Sequence, residues 1–221
     1  MPHLRKELEH LKRRLLTLSG LAEESVRRAV RAVESRDASL AAKVIAADRD
    51  IDTMEVDVEE DCLKILALHQ PVAIDLRFII AVLKMNNDLE RIGDLAVNIA
   101  ERAEYLAGKK AAGVPVDLPA MAAKAQKMLR QSLDAVVNMD TKLARAVLAA
   151  DDEVDQENRD VHELVKREIS QDPTKIDELM QLLLVSRHIE RIADQATNIA
   201  EDAIYMVEGE IVRHNRPVKN K

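Results

Sequence analysis

The chain is almost devoid of aromatic side chains. Its 221 residues include no tryptophan, one phenylalanine (Phe78) and two tyrosines (Tyr105 and Tyr205), 1% of the total. Sheet proteins draw heavily on aromatic and β-branched residues, and proteins that grip single-stranded nucleic acid need aromatic stacking platforms; this composition argues against both. Cysteine is as scarce. Cys62 alone permits no disulfide within the chain and no cysteine-rich zinc site, which fits a reducing, cytoplasmic compartment. The longest apolar run, Phe78 to Leu83, falls far short of the roughly 20 residues that cross a bilayer. Met1 to Arg14 mixes Arg, Lys and Glu and lacks the apolar centre of a secretory signal. No direct membrane insertion is expected. Excess positive charge is also missing: 33 Lys and Arg stand against 40 Asp and Glu, a net −7, so there is no basic footprint for nucleic acid or for anionic lipid. No G-x-x-x-x-G-K-[ST], G-x-G-x-x-G or G-x-S-x-G occurs, which leaves ATP hydrolysis, dinucleotide binding and serine hydrolysis without support.

What is present is material for helices. Hydrophobic residues make up 47% and charged residues 33%, supplied mainly by aliphatics, Ala, Glu, Lys and Arg. The 5 glycines and 6 prolines mostly mark boundaries: Pro71, then Gly108, Gly113, Pro115 and Pro119 at the midpoint, then Pro173, Gly209 and Pro217. Apolar positions recur at steps of four and three in Met85, Leu89, Ile92, Ala96, Ile99, Ala103 and Leu106, and again in Val44, Ala47, Ile51, Met54, Val58 and Ile65, the seam of a helix in a bundle. Cys62 keeps the same register and is expected to be buried as a small apolar residue. Asp37 and Asp140 each sit where one helical stretch ends and another begins, as N-caps do. The expected architecture is all-α, two related three-helix bundles spanning 1–110 and 117–210, with several helices of about 30 residues or roughly 45 Å, and a basic, mobile tail over 211–221.

The two halves are copies. Asp37-Ala-Ser-Leu-Ala-Ala-Lys-Val-Ile-Ala-Ala-Asp48 aligns with Asp140-Thr-Lys-Leu-Ala-Arg-Ala-Val-Leu-Ala-Ala-Asp151 at an offset of 103, and Glu90-Arg-Ile-Gly-Asp94 through Glu101 aligns with Glu190-Arg-Ile-Ala-Asp194 through Glu201 at an offset of 100. Even Tyr105 finds Tyr205. A duplicated three-helix unit is the economical account.

The duplication repeats acids in pairs four apart: Asp48 with Asp52, Glu90 with Asp94, Asp151 with Asp155, and Glu190 with Asp194. Four residues place two carboxylates on one helix face. Each pair extends into a stripe. Glu55 and Glu59 continue the first, Asn98 and Glu101 the second, Asn158 and His162 the third, Asn198 and Glu201 the fourth. Like charges at this spacing cost a helix about 0.2–0.5 kcal/mol per pair, so their recurrence points to a cation that offsets them. Carboxylate and amide oxygens select hard or borderline metals, and His162 and His188 shift the expectation toward Fe, Mn or Zn. Against this stands the reading of solvated acidic faces with Arg91, Arg102 and Arg191 as partners; a carboxylate-bridged metalloenzyme and a plain helical scaffold are the rival functions. His69, before Pro71, reads as a helix-end residue, and the single E-x-x-H, Glu7 to His10, lacks the second copy that a di-iron bundle enzyme needs.

Taken with Gln70-Pro71-Val-Ala-Ile-Asp75-Leu76-Arg77 and Asp88-Leu-Glu-Arg-Ile-Gly-Asp94, the duplicated E(D)-x-x-x-D set resembles the PhoU family of phosphate-uptake regulators over nearly the whole chain. The resemblance implies a cytoplasmic, non-enzymatic protein of two three-helix bundles, each carrying a multinuclear metal cluster, iron first with zinc or manganese as alternatives. It implies metal ligands at Asp48, Asp52, Glu90, Asp94, Asp151, Asp155, Glu190 and Asp194, with Glu55, Glu59, Asn98, Glu101, His162, Asn198 and Glu201 as secondary candidates. It further implies two partners, the ATPase subunit of a phosphate ABC transporter and a two-component sensor kinase, and repression of phosphate-starvation genes; the long amphipathic helices make a homodimer a reasonable assembly. Two departures stand out. Glu178-Leu179 replaces Leu76-Arg77 in the second half, so whatever Arg77 contacts is not expected to be duplicated, and Gln195 occupies a position where His is expected.

Overall fold

The aliphatic seams draw the chain into six helices: α1 (Pro2–Ser35), α2 (Ala38–His69), α3 (Ala73–Ala107), α4 (Leu118–Asn138), α5 (Thr141–Gln171) and α6 (Ile176–Glu208), with a short 3-10 turn at Pro173–Lys175. The structure is a computed structural model and describes residues 2–109, 113 and 116–209. No strand occurs among the described residues. The tail expected over 211–221 lies outside them.

The repeat is visible in how the helices turn. At the end of α1, Arg36 adopts a left-handed conformation (φ 52°) and Asp37 follows; at the end of α4, Met139 (φ 54°) and Asp140 do the same. Asp37 N–H donates to the Ala32 carbonyl (3.0 Å) and Asp140 N–H to that of Ala135 (2.9 Å), closing each helix with a Schellman-type bond. Each Asp then opens the next helix: the Asp37 carboxylate accepts from Leu40 N–H (3.0 Å), and that of Asp140 from Lys142 and Leu143 N–H (3.0 Å each). A single residue thus serves as helix stop and helix start, which is why these hairpins are so tight. Asp117 caps α4 in the same manner, accepting from Ala120 N–H (3.0 Å).

Helices α1–α3 form one bundle and α4–α6 the other, joined where α3 lies against α6 and α1 against α4. Arg77, near the start of α3, donates through Nε to the Met206 carbonyl near the end of α6 (3.0 Å), whereas Arg102, near the end of α3, reaches Gln181 near the start of α6. The two central helices therefore run antiparallel. Both seams are buried as the periodicity predicts, apart from Ala47 and Met54, which are only half-covered, and one hydrophobic core runs without a break through both bundles. Cys62 is fully buried, and burial, with Asp61 and Glu59 nearby, pushes its thiol up to about 12; it is an inert core residue. The Arg77 contact is not duplicated: at the offset of 100 that relates α3 to α6 its counterpart is Asp177, an acid that pairs with Lys109 (3.5 Å), and the Leu179 expected in its place is buried and apolar.

One glycine fixes how closely α2 approaches α3. A Cβ on Gly93 would lie 3.0 Å from Ile51 Cδ1, 3.1 Å from Asp48 Oδ1 and 3.2 Å from Ile51 Cγ2. The second half has Ala193 at the corresponding place, and opposite it Val154 where the first has Ile51. A carbon removed from one helix is returned on the other, so both hairpins keep a similar filling of the interface. Overpacking costs about 1–3 kcal/mol against a helix-propensity gain of about 1 kcal/mol for Gly→Ala. Gly93→Ala alone is therefore expected to destabilise by up to about 2 kcal/mol, and adding Ile51→Val is expected to recover most of it. Urea unfolding of the two single variants and the double variant checks this through a favourable coupling of about 1 kcal/mol; strictly additive effects would rule out the volume exchange.

Candidate metal centres

The close approach at Gly93 brings the acidic stripes of α2 and α3 together across a shallow groove. Asp48, Asp52, Glu55 and Glu59 descend one side; Glu90 and Asp94 stand on the other. Their mutual influence is legible in protonation. Burial, then Asp52, then Asp94, raises the Asp48 carboxyl to about 6. Burial raises Glu90 as well, reinforced by Asp94, Glu55 and Asp52 and opposed by Arg91, and Glu55 rises through burial, Glu59 and Asp52. The α5–α6 groove repeats the pattern, with Glu190 raised by burial, Asp194, Asp155 and Asp151 and opposed by Arg187. Beyond burial, the acids of the first groove raise one another, and Arg91 is the cation set against Glu90. The first groove thus sets carboxylates of α2 against carboxylates of α3.

Two residues that sequence reasoning missed complete the grooves. Asn86, 1% exposed on α3, donates through Nδ2 to the Glu55 carbonyl (2.9 Å) and to Glu55 Oε1 (3.1 Å), while its own Oδ1 is buried without a partner. On α6 the buried Ser186 hydroxyl lies 2.9 Å from Asn158 Oδ1 and 2.9 Å from the Leu183 carbonyl, so it donates to one of them. Asn86 and Ser186 correspond at the offset of 100, as Glu55 and Asn158 do at 103. The same cross-helix tie is made with different chemistry. Both sit four residues before Glu90 and Glu190, so extending each stripe one turn backward would have found them.

The outlying candidates are placed less centrally. Glu101 is exposed and accepts from Arg102 Nη2 (3.0 Å). Asn98 and Glu201 are half-buried, Asn198 Nδ2 lies 3.5 Å from Gln195 Oε1, and His162 is exposed on α5. His188 stands beside Arg102, where burial, Arg102, Arg191 and Arg187 hold its ring below the ordinary histidine range and Glu101 opposes them.

The donors fit a hard or borderline cation. They are oxygens, several are partly desolvated, and the buried Asn86 Oδ1 lacks a partner. Among the described residues no three Asp, Glu, His or Cys side chains converge tightly enough to grip one ion. The grooves also differ: the first has Glu55 and Glu59 where the second has Asn158 and His162, so it carries more negative charge.

These raised carboxyls set the pH response of the metal-free protein. A carboxyl with a higher pKa folded than unfolded makes the folded state bind more protons between the two values, so stability falls as pH rises through that window. For Asp48 the window runs from about 4 to about 6, and Glu55, Glu90 and Glu190 act in the same direction. Chelator-treated protein is expected to have a higher urea midpoint near pH 5 than near pH 8, with a smaller difference in Asp48→Asn. An equal response in that variant would remove Asp48 from the account.

Comparison with known proteins supplies the family. The PhoU domain model matches residues 15–103 and 118–203, one copy on each bundle. The phosphate-specific transport system accessory protein PhoU homolog of Aquifex aeolicus (strain VF5) is 40% identical over 216 residues, covering 98% of this chain and 97% of that protein. The crystal structure of PhoU from Pseudomonas aeruginosa superposes with a TM-score of 0.88 at 38% identity, covering 93% of this chain and 99% of that one. That of the phosphate transport system regulatory protein PhoU from Streptococcus pneumoniae gives 0.84 at 30% identity, covering 95% and 99%. Two matching domains, near-complete coverage and the shared fold place this chain in the PhoU family.

Proposed function

We propose that this protein is an accessory regulator of a phosphate-specific transport system, acting by contact with other proteins rather than by turnover. The observation that carries the reading is the near-full-length likeness to a protein named for that role, on a chain whose acidic grooves recur once in each repeat. The partners proposed are the ATPase subunit of the phosphate ABC transporter and a two-component sensor kinase, with repression of the phosphate-starvation response as the outcome. No helix of the described chain is long and apolar enough to cross a membrane, so contact with a membrane transporter would run through that transporter's own exposed surfaces. A cytoplasmic location follows from those partners.

Each groove is proposed to hold a multinuclear metal cluster, with iron first and zinc or manganese as alternatives. Asp48, Asp52, Glu90 and Asp94 would hold it in the first bundle, and Asp151, Asp155, Glu190 and Asp194 in the second. A bound cation supplies positive charge that offsets carboxylate repulsion and ties α2 to α3 and α5 to α6. Asp52, Glu59 and Asp94 are exposed, so the first groove opens to solvent at the surface. That favours a regulatory surface over the enclosed, partly apolar pocket that a carboxylate-bridged metalloenzyme needs.

Protein purified without chelator is expected to carry metal, and D94A/D194A to lose most of it, as measured by elemental analysis; equally low metal in both would sink the ligand assignment. The regulatory reading is tested separately by affinity capture from cells grown at high and at low phosphate, where the transporter ATPase and the sensor kinase are the expected companions. Recovery of neither would overturn it.

A further inference from the structure

The pseudo-two-fold relation between α3 and α6 inverts charge at the seam where they meet. Arg102 on α3 corresponds, at the offset of 100, to Asp202 on α6, and His188 on α6 corresponds to Asp88 on α3. One end of the seam is therefore acidic and the other cationic. At the acidic end Asp88 and Asp202 are buried, and Lys84 supplies an internal counter-ion, its Nζ lying 3.2 Å from Asp202 Oδ1 and 5.0 Å from the centre of the Tyr205 ring. The residue matching Lys84 at the other end is Leu184, so the cationic end has no equivalent device.

The cationic end is also incompletely bonded. Arg102 Nη1 donates to Gln181 Oε1 (3.4 Å) and Nη2 to the exposed Glu101 Oε2 (3.0 Å), yet its Nε is buried without a partner. The Nδ1 atom of His188 is likewise buried and unpartnered. Leaving such groups unpaired is unfavourable, and a ligand that pairs them would relieve it. Arg187 and Arg191 on α6 add their charges beside the same histidine, where Glu101 opposes them, and Arg187 also acts on Glu190. A guanidinium Nε–H, with the imidazole Nδ1 in the tautomer that carries the ring proton there, offers donors to the oxygens of a phosphoryl group, which arginine recognises through charge-assisted bonds.

We propose that Arg102 and His188, supported by Arg187 and Arg191, form an oxyanion site for a phosphoryl group at the cationic end of the α3–α6 seam. The group is either inorganic phosphate or a phosphate ester carried by another protein. Its two donors, Arg102 and His188, are not among the residues proposed to hold cations and need no metal, so failure of the site would leave the cation reading untouched.

Equilibrium dialysis of the full chain with labelled inorganic phosphate, in chelator and with ionic strength held constant by chloride, tests the proposal. Saturable binding near one phosphate per chain is expected, weakened about tenfold or more in Arg102→Gln, the loss of one charge-assisted bond, and severalfold in His188→Gln. Arg145→Gln, which removes the same charge from the exposed start of α5, is expected to bind as the parent does, with circular dichroism confirming that each variant is folded. A second arm replaces phosphate with a phosphoseryl peptide beside its unphosphorylated form. Tighter binding of phosphate identifies the free ion as the ligand, and tighter binding of the phosphopeptide identifies a partner's phosphate. Binding of neither, or equal losses in Arg102→Gln and Arg145→Gln, overturns the site.

Discussion

The antiparallel contact between α3 and α6 is the constraint on which the rest of the molecule depends. Each of these helices is covered by three others, α3 by α1, α2 and α6, and α6 by α3, α4 and α5. A helix enclosed on so many sides has no room for bulk everywhere, and the buried positions of this pair are rich in small residues: Ala96, Ala100 and Ala103 on one, Ala193, Ala196, Ala200 and Ala203 on the other. Helix axes in close contact lie about 8–10 Å apart, at a distance set by the side chains between them. The near-absence of aromatics follows from this geometry, because a large ring at such positions would wedge the axes apart. The same contact merges two marginal three-helix units into one continuous core.

With the centre so tightly specified, the outer hairpins became the places where the two copies could diverge. They did so by exchange rather than by loss. Ile51 with Gly93 gives way to Val154 with Ala193, and Glu55 with Asn86 gives way to Asn158 with Ser186. Volume and cross-helix bonding are kept while formal charge is not. The second groove therefore retains the shape of the first with fewer carboxylates, and a ligand that follows charge would distinguish them even though the backbones match.

Much of this was legible without coordinates, and the parts that were not share a physical cause. The apolar seams, the Asp37 and Asp140 caps and the duplication are local or periodic features, recorded in spacing along one helix. The acid pairs were visible for the same reason. Asn86 and Ser186 were hidden because their role depends on what stands opposite on a different helix, which spacing on α3 or α6 alone does not encode. Gly93 was hidden because its function is the absence of a side chain. His188 looked like a donor to the second acidic stripe, yet the rotation of α6 turns it toward Arg102 on α3. Its neighbours are decided by the seam between repeats, a contact the aligned copies do not reveal because the alignment treats each half alone.

That seam also explains why the two repeats pair with each other in one arrangement. If α3 and α6 carried identical residues, like charges would meet at both ends of an antiparallel contact, and no internal preference would separate one repeat's helix from the other's. Instead Arg36 on the first bundle is bonded to the buried Glu178 on α6 and to the Leu106 and Lys109 carbonyls, Arg77 binds the carbonyl of Met206, and Lys84 pairs with Asp202. Every one of these ties runs from a first-repeat cation to an acceptor, three of them on α6. Two copies of α3 facing each other would set Lys84 against Arg102 with no Asp202 to receive it, and would put Phe78 where Arg36 finds Glu178, leaving cations without their acidic partners. Asymmetry across the seam thus selects the pairing of unlike repeats within one chain, while symmetry along the outer hairpins preserves two grooves of one design.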